Sequence, residues 1–347
     1  MRVLAESAYP ISTPSSRVRV AAFAPFLAAH GVDLHYRPTL TVSEYGVLGS
    51  DASSWRKAAA AARAFRRSSP ELDDAYDVRL VHRLRTLVPV PGRRRPPRPD
   101  VYDFDDALYL GSISSANTRY GWIKQESRRS VAYMRNARLV IAGNSYLADR
   151  AARYANRVEV VPSCVDVDRQ SVRAHEAQEV VTVGWIGSPS TSGYVRAVLP
   201  AFERINRDRL RARLVLVGAK PAVQPSWAES RPWTLSSEAA DLASFDIGIM
   251  PLRDTEWERG KCGYKLLQYF AAGVPAVASP VGVNRTLVGD GRGILATSVE
   301  EWVQALELLM DDVELRRSWG TAARAYAERE FSYRRWAPEL AELLGSV

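Results

Sequence analysis

The sequence predicts two doubly wound α/β units in tandem, each built on a parallel sheet. Short apolar runs alternate with helical patterns in the first half of the chain, and after a polar interruption the same alternation begins again. The chain has 347 residues, of which 46% are hydrophobic and 25% are charged. These values are typical of a globular protein of about two domains, and they exclude a disordered chain, a collagen-like repeat and a disulfide scaffold.

The first half of the chain contains six predicted strands and four predicted helices. The strands are residues 2–5, 32–36, 78–82, 101–104, 139–142 and 158–161. The helices are residues 18–30, 55–67, 124–136 and 146–155. Gly31 follows the first helix, where glycine is a typical stop signal. We expect residues 1–170 to form the first domain.

A polar segment, residues 166–179, interrupts the pattern and is predicted to be a linker. Beyond it the predicted strands are residues 180–186, 213–217, 245–250, 276–278 and 293–296. The predicted helices are residues 194–207, 264–272, 299–310, 314–330 and 336–344. We expect residues 180–330 to form the second domain and residues 331–347 to add a terminal helix. In such units ligands bind at the carboxyl ends of the strands.

The net charge of +8 suggests an anionic partner. Only five of the 47 basic residues are lysine, and most are dispersed without interleaved aromatic residues, which argues against nucleic acid. Attraction to anionic lipid headgroups fits the charge equally well. Glu6 interrupts any export signal, no apolar run approaches the ~18 residues of a membrane span, and Cys164 and Cys262 match no metal-ligand spacing. We therefore expect a cytoplasmic protein, with at most a peripheral contact to the inner face of the membrane.

The densest unusual segment, residues 251–275, follows a predicted strand and leads into a predicted helix. Gly260 and Gly263 let a ligand approach the backbone, and the start of the helix offers free N–H groups. Lys261 and Lys265 are four residues apart, so on one helix they would share a face and converge on one anion. A diphosphate is the ligand we expect, the alternative being an exposed helix start with solvated lysines.

Residues 245–279 resemble the donor-binding signature of the group 4 glycosyltransferases. Residues 183–188, 160–166 and 330–333 resemble other parts of that family, and Tyr102 to Ala107 resemble a bacterial branch associated with surface-polysaccharide assembly. The resemblance implies the GT-B fold, in which two Rossmann-like domains face each other and a final helix crosses back to the first. It also implies a retaining enzyme that uses a nucleoside diphosphate sugar as substrate, a glycan or glycolipid as acceptor, and neither cofactor nor metal.

The resemblance extends to individual residues, with some departures. The family's two signature glutamates align with Gly260 and Gln268, and Gln268 can still hydrogen-bond a ribose hydroxyl. The missing first glutamate leaves the donor sugar to residues of the preceding loop, namely Asp254, Glu256, Trp257 and Glu258. A serine-rich turn replaces the family's basic pair, and Arg17 stands in place of a glycine-rich loop. The predicted donor-binding residues are Gly187, Ser188, Lys261, Gly263, Tyr264, Lys265, Gln268 and Arg17.

A group of acids follows the predicted strand at residues 101–104. Asp103, Asp105 and Asp106 lie within four residues and repel one another, so at least one needs a partner or a raised pKa. His82 and Arg83 end the neighbouring strand at the same edge. We expect Asp105, Asp106, His82 and Arg83 to orient or deprotonate an acceptor hydroxyl, the alternative being that Asp105 or Asp106 caps a helix.

The function predicted from sequence is therefore retaining glycosyl transfer to a glycan or glycolipid hydroxyl. Two alternatives remain open at this stage. One is a nucleotide-sugar epimerase of the same architecture, although the chain has only four histidines. The other is a non-catalytic relative that binds nucleotide-sugar or scaffolds an assembly, which the missing first glutamate favours. Donor hydrolysis without acceptor would separate an enzyme from a binding module.

Overall fold

The computed structural model describes residues 1–50, 52–67, 75–89, 98–111, 125–219 and 225–347. The chain divides into two compact units. The first unit consists of Met1–Ser163, Gly260–Cys262 and Trp336–Val347, and the second consists of Cys164–Arg259 and Gly263–Arg335. A run of three consecutive basic residues, Arg93 to Arg95, lies outside the described residues. No helix of the described ranges is long and apolar enough to cross a membrane.

The first unit has a six-stranded parallel sheet. Its strands are β1 (Arg2–Ser7), β2 (Asp33–Pro38), β3 (Val78–His82), β4 (Val101–Phe104), β5 (Leu139–Ala142) and β6 (Val158–Val160). They are arranged in the order β2-β1-β3-β4-β5-β6. The strand order reverses between β1 and β3, and ligands of open α/β sheets bind outside the carboxyl ends of the strands at such a point.

The helices of the first unit depart from the prediction near the amino terminus. They are α1 (Pro14–Arg19), α2 (Ala24–Ala28), α3 (Val42–Gly49), α4 (Ser54–Arg67), α5 (Glu126–Asn136) and α6 (Ser145–Ala151). The single helix predicted over residues 18–30 is wrong, because Pro25 lacks the N–H that a continuous helix needs and sits instead in the first turn of α2. The prediction also missed α3, which Thr41 and Glu44 begin with a reciprocal capping box.

The second unit has a second six-stranded parallel sheet. Its strands are β7 (Val181–Ile186), β8 (Ala212–Val217), β9 (Ala228–Arg231), β10 (Ile247–Met250), β11 (Ala276–Ala278) and β12 (Gly293–Leu295). They are arranged in the order β12-β11-β10-β7-β8-β9, so the order reverses between β7 and β10. The prediction missed β9, because its Ala-Glu-Ser-Arg sequence has no apolar run.

The helices that follow in the chain cover both faces of this sheet and end in the first unit. They are α7 (Leu199–Ile205), α8 (Glu238–Ala243), α9 (Glu256–Arg259), α10 (Tyr264–Ala271), α11 (Asn284–Leu287), α12 (Val299–Asp311), α13 (Val313–Phe331) and α14 (Tyr333–Gly345). The helix predicted over residues 194–207 is instead a 3₁₀ segment, Pro189–Ala197, followed by α7 with Pro200 in its first turn. From Trp336 onward, α14 belongs to the first unit.

The polar segment predicted as a linker, residues 166–179, lies inside the second unit. Arg173 donates from Nη2 to Oδ1 of Asp246 at 2.8 Å. The Nε2–H of the buried His175 donates to the carbonyl oxygen of Gly273 at 2.8 Å. The structure therefore corrects the linker prediction, because polar side chains anchor this segment to its own unit.

Candidate functional site

In the first unit, a turn with a basic residue follows β3 and a turn with two acids follows β4. Arg83 comes directly after β3 with a φ of 56°, a conformation that non-glycine residues adopt rarely. Its N–H donates to the carbonyl oxygen of Asp103 at 2.8 Å, which fixes the turn against β4. Strain of this kind persists where the surrounding structure enforces it, and it is concentrated at functional sites.

Asp103 is the buried centre of this edge. Its carboxylate forms an ion pair with Arg19 from α1 and accepts the Nδ1–H of His82 at 2.6 Å. Burial opposes ionisation, but Arg19 and His82 outweigh it and hold the pKa of Asp103 below its usual range. His82 is fully buried, and its Nε2 lies 2.7 Å from Oγ of Ser15. The imidazole is therefore fixed in orientation between an acid and a hydroxyl.

The two following acids are held by Arg83. The guanidinium donates from Nε to Oδ1 of Asp105 at 2.6 Å and forms a second ion pair with Asp106. Ser15 donates to Oδ2 of Asp105 at 2.8 Å. Although burial raises it, the positive charges of Arg83 and the neighbouring His82 and Arg19 keep the pKa of Asp105 well below its usual range. Each acid of the cluster has a cationic neighbour, so pairing relieves the mutual repulsion, and the pKa values of Asp103 and Asp105 are lowered and not raised.

Neither Asp105 nor Asp106 caps a helix. The turn that follows them is a short 3₁₀ helix, Leu108–Leu110, whose cap residue Ala107 makes no side-chain cap. The carboxylates instead remain at the sheet edge with Arg83. The capping alternative is therefore wrong, and the acids form one hydrogen-bonded group with Ser15 and His82.

Lys261 joins this group in the first unit. Its ammonium Nζ lies 3.8 Å from Oδ1 of Asp106. The prediction that Lys261 and Lys265 share a helical face is wrong, because α10 begins only at Tyr264 and Gly263, with a φ of 67°, ends the preceding loop. Lys261 is thus assigned to the first unit and Lys265 to the second.

At the carboxyl edge of the second sheet, two glycines beyond β7 and β8 allow the backbone segments to approach each other closely. Gly187 follows β7, and Gly218 follows β8 with a φ of 84°. A Cβ on Gly218 would lie 2.2 Å from the carbonyl oxygen of Gly187. A Cβ on Gly187 would lie 2.9 Å from Cε of Lys265, whose ammonium is 5.4 Å from the ring centre of the buried Trp185. The backbone and one lysine thus meet at the position where this fold class binds ligands.

Helix α10 presents its start to the same edge. Tyr264 and Lys265 form its first turn, and Gln268 is buried in the next. A Cβ on Gly263 would lie 2.4 Å from Leu287, and an L-residue would strain its positive φ, so glycine is required at this turn. Ser188 directly precedes the 3₁₀ segment beyond β7, and its hydroxyl lies 2.8 Å from that of Ser190.

The loop residues predicted to meet the donor sugar have different surroundings. Asp254 is exposed and pairs with Arg259 at 2.6 Å, which keeps its pKa low. Glu258 is buried, accepts from the Tyr194 hydroxyl at 2.5 Å and is hydrogen-bonded by Thr255. Glu258 therefore holds α9 in place. Glu256 is exposed and Trp257 is half-buried, and Arg17 lies on α1 in the first unit.

Sequence reasoning missed three residues of the first edge. Ser15, Arg19 and Asn144 carry hydrogen bonds of the cluster or of the segment that contains Lys261. In this part of the chain the sequence draws attention only to Arg17, and nothing in the spacing of Arg19 indicates that it is buried. Asn144 directly precedes α6, so its sequence position signals only a helix cap.

Over the described ranges, no group of three or more His, Cys, Asp and Glu side chains is arranged to hold a metal ion. The acids Asp103, Asp105 and Asp106 are paired with Arg19, Arg83 and Lys261.

Comparisons with known proteins bear on the second unit and on the fold. Residues 177–312 match the family model described as Glycosyl transferases group 1. A stretch of 111 residues is 35% identical to D-inositol 3-phosphate glycosyltransferase of Paenarthrobacter aurescens (strain TC1), covering 31% of this chain and 26% of that relative. The chain thus matches about a quarter of the relative's length.

Solved structures match nearly the whole chain. Sucrose-phosphate synthase from Thermosynechococcus elongatus has a TM-score of 0.72 at 13% identity, covering 99% of this chain and 98% of its own. HepE from Anabaena in complex with UDP and glucose has a TM-score of 0.64 at 15% identity, covering 100% and 99%. WaaG, a glycosyltransferase involved in lipopolysaccharide biosynthesis, has a TM-score of 0.65 at 14% identity, covering 100% of both chains. The chain therefore has the GT-B fold of two Rossmann-like domains, and its second unit carries the sequence pattern of the group 1 glycosyl transferases.

Proposed function

We propose that this protein is a retaining glycosyltransferase that moves a sugar from a nucleoside diphosphate donor to a hydroxyl of a glycan or glycolipid. The observation that carries the proposal is the corner of the second sheet where Gly187, Lys265 and the start of α10 meet. It combines close backbone approach, a point charge and a helix start at a strand-order reversal, and this combination suits a diphosphate.

In this proposal the second unit binds the donor. Lys265 and the N–H groups of α10 neutralise the diphosphate, Gly187 lets it approach, and Ser188 offers a hydroxyl. Gln268 hydrogen-bonds to a hydroxyl of the donor's ribose. As charge develops on the departing diphosphate, the same groups stabilise it, an electrostatic contribution that is usually the largest in such reactions. Arg17 and Lys261, which sequence reasoning also assigned to the donor, belong to the first unit.

The first unit then orients the acceptor. Asp105, Asp106, His82 and Arg83 form a fixed group of ions at the carboxyl edge of their sheet. They would hold the acceptor hydroxyl by hydrogen bonds. The bond between the anomeric carbon and the phosphate oxygen breaks, the acceptor oxygen bonds that carbon on the same face, and its proton passes to the departing phosphate. The anomeric configuration is thereby retained.

The binding of the donor sugar is the part of the proposal that the missing signature glutamate affects. Gly260 stands where the family places a glutamate, and Glu258 is held by Tyr194 and Thr255. We propose that Asp254, Glu256 and Trp257 supply the remaining contacts with the sugar from the same loop. Asp254 and Glu256 are exposed, and Trp257 is half-buried.

The proposal is tested by incubating the protein with UDP-glucose, GDP-mannose and ADP-glucose and measuring release of the nucleoside diphosphate, with and without lipid-linked acceptors. We expect release with one donor and a stimulation by one acceptor. Proton NMR of the product then reads the anomeric configuration, which we expect to be retained. Binding of a donor without any release would favour the non-catalytic alternative, and inversion of the sugar would contradict the retaining assignment.

We further propose that the surface of α3 and α4 contacts anionic lipid. Trp55 is 70% and Val42 is 59% exposed, and Tyr45 and Phe65 are also exposed. Helix α4 carries a set of basic residues, Arg56, Lys57, Arg63, Arg66 and Arg67. Two of them, Arg63 and Arg67, pair with Glu44 of α3. Exposed aromatic rings beside positive charges are typical of helices that lie in the headgroup region of anionic membranes.

Co-sedimentation with vesicles tests this surface. We expect binding to phosphatidylcholine vesicles that contain phosphatidylglycerol, weaker binding at high salt, and little binding to phosphatidylcholine alone. Trp55→Ser should weaken the binding, whereas Leu235→Ser, an equally apolar and 60% exposed position of the second unit, should not. Equal losses in both variants would contradict the assignment.

A further inference from the structure

A three-residue segment, Gly260–Cys262, belongs to the first unit although its chain neighbours on both sides belong to the second. Its middle residue is Lys261, whose ammonium lies 3.8 Å from Oδ1 of Asp106. A lysine has a flexible side chain of four methylene groups, so the position of its charge depends on how firmly the backbone below it is held. The contacts that hold this backbone are therefore part of the site.

Asn144 makes the main backbone contacts. Its side-chain oxygen accepts the N–H of Leu147 at 2.9 Å and thereby caps α6. The amide nitrogen on the other side of the same group donates to the carbonyl oxygen of Gly260 at 3.0 Å and to that of Lys261 at 3.3 Å. One buried side chain thus links a rigid helix start to the segment.

The preceding residue provides the space that the segment needs. A Cβ on Gly143 would lie 2.4 Å from Sγ of Cys262 and 3.3 Å from Cα of Asp105. The thiol occupies this space and donates to the carbonyl oxygen of Asp105 at 3.3 Å. Asn144 therefore hydrogen-bonds to the backbone of the segment, and the absence of a side chain on Gly143 leaves space for the Cys262 thiol.

We propose that Asn144 is a positioning residue that acts through Lys261: by holding the carbonyl groups of Gly260 and Lys261, it keeps the lysine ammonium at the Asp106 carboxylate. Only the expected effect of Asn144 on turnover rests on the proposed function. The physical holding of the segment can be measured without any substrate. A loosely held charge contributes less to catalysis, because the reacting geometry tolerates only small displacements.

The thiol of Cys262 reports whether the segment is held. Burial and the nearby Asp105 carboxylate raise the pKa of this thiol to about 12, so alkylation is slow while the segment stays in place. Asn144→Ser keeps a hydroxyl that can cap α6 but is too short to reach the segment. We expect iodoacetamide to label Cys262 about tenfold faster in Asn144→Ser, since the hydrogen bonds of the Asn144 amide to Gly260, Lys261 and the Cys262 thiol are lost.

Two controls belong to this experiment. Cys164 is fully buried in the second unit, and its labelling, followed by peptide mass spectrometry in the same samples, should stay unchanged. Asn206→Ser removes an asparagine that likewise accepts and donates backbone hydrogen bonds, but in the second unit, and it should leave Cys262 unaffected. Equal labelling of Cys262 in Asn144→Ser and the natural protein would overturn the proposal, as would a parallel rise at Cys164.

Gly143→Ala is a second variant that disturbs the packing of the segment, and it is used if Asn144→Ser fails to fold. The added methyl group would displace the thiol, so Cys262 should again be labelled faster. Unchanged labelling of Cys262 in this variant would likewise overturn the proposal.

A double-mutant cycle separates positioning from general loosening. If Asn144 acts through Lys261, then Asn144→Ser should lower the rate of nucleoside diphosphate release in the natural background and have no further effect in a Lys261→Met background. Additive losses would refute the positioning role. Faster labelling together with no activity in any protein would instead refute the proposed function and leave the holding of the segment intact.

Discussion

The carboxyl edges of the two sheets differ in which charged groups line them. The first edge is filled by its own ions: Asp103, Asp105 and Asp106 face Arg19, Arg83 and Lys261. The second edge consists of glycine backbone at the strand-order reversal, with a lysine ammonium placed over an indole ring.

This difference suggests a division of work between the edges. A preformed ion network is rigid and keeps its partners in fixed positions, which suits orienting a neutral hydroxyl. An edge formed by glycine backbone, a helix start and a lysine ammonium instead lets an anion approach the backbone closely, which suits a diphosphate. The predictions below test the division by changing one edge at a time.

The largest expected effect comes from breaking the buried network of the first edge. Asp103→Asn leaves the buried Arg19 and the fully buried His82 without their anion. Removing one partner of a buried ion pair typically costs about 3–5 kcal/mol. Urea unfolding followed by circular dichroism measures the loss.

The matched control for Asp103→Asn is Glu300→Gln, which breaks an exposed pair with Arg204 in the second unit. Exposed pairs contribute about 0–1 kcal/mol, so this variant should unfold almost as the natural protein does. Equal losses in the two variants would show that the first edge is not a buried network.

The next effect concerns turnover. Asp105→Asn and Asp106→Asn each remove an anion that we place beside the acceptor, so kcat with acceptor should fall about 100-fold or more. Donor affinity should change little, because the donor is assigned to the second unit. A titration of donor against each variant, run beside the kinetic assay, provides the comparison; a large loss of donor affinity with normal turnover would reverse the assignment.

A smaller effect is expected on acidification. The folded-state pKa values of Asp103 and Asp105 are lower than the ordinary value near 3.9. Their stabilising contribution is therefore complete above that ordinary value and is lost as the pH falls toward the folded-state pKa. Thermal melting between about pH 2 and pH 7 should show this loss. Asp105→Asn should flatten the acid limb, and an unchanged limb would contradict the ion-pair account of this edge.

The sequence alone was sufficient to locate most strands of the two sheets. Strands β3, β4, β5 and β11 lie at their predicted residues, because a buried parallel strand is a short apolar run with polar residues beyond it. Gly187 and Gly218 are located by counting in the same way, because β7 and β8 end at the predicted residues Ile186 and Val217. Prolines inside helical patterns were harder, since Pro25 and Pro200 each begin a new helix within one apparent pattern.

The pairing of charges could not be predicted from spacing. Arg19 and Asp103 are 84 residues apart in the chain, and only the sheet order brings them together. Lys261 has the spacing of a helical partner of Lys265, yet Gly263 ends the loop between them and Lys261 lies beside Asp106. Local pattern predicts elements, whereas ion pairs depend on tertiary contacts that no local window contains.

The central claim, that the second edge binds a nucleoside diphosphate through Lys265, is tested most directly by calorimetric titration of UDP, GDP and ADP into the natural protein, Lys265→Met and Arg209→Met. The last variant removes an exposed charge of the second unit outside this edge. We predict that at least one nucleotide binds, that Lys265→Met weakens it about 10- to 100-fold through the loss of a charge-assisted hydrogen bond, and that Arg209→Met binds as the natural protein does. Equal affinity in Lys265→Met and the natural protein, or binding of none of the three nucleotides, would contradict the account.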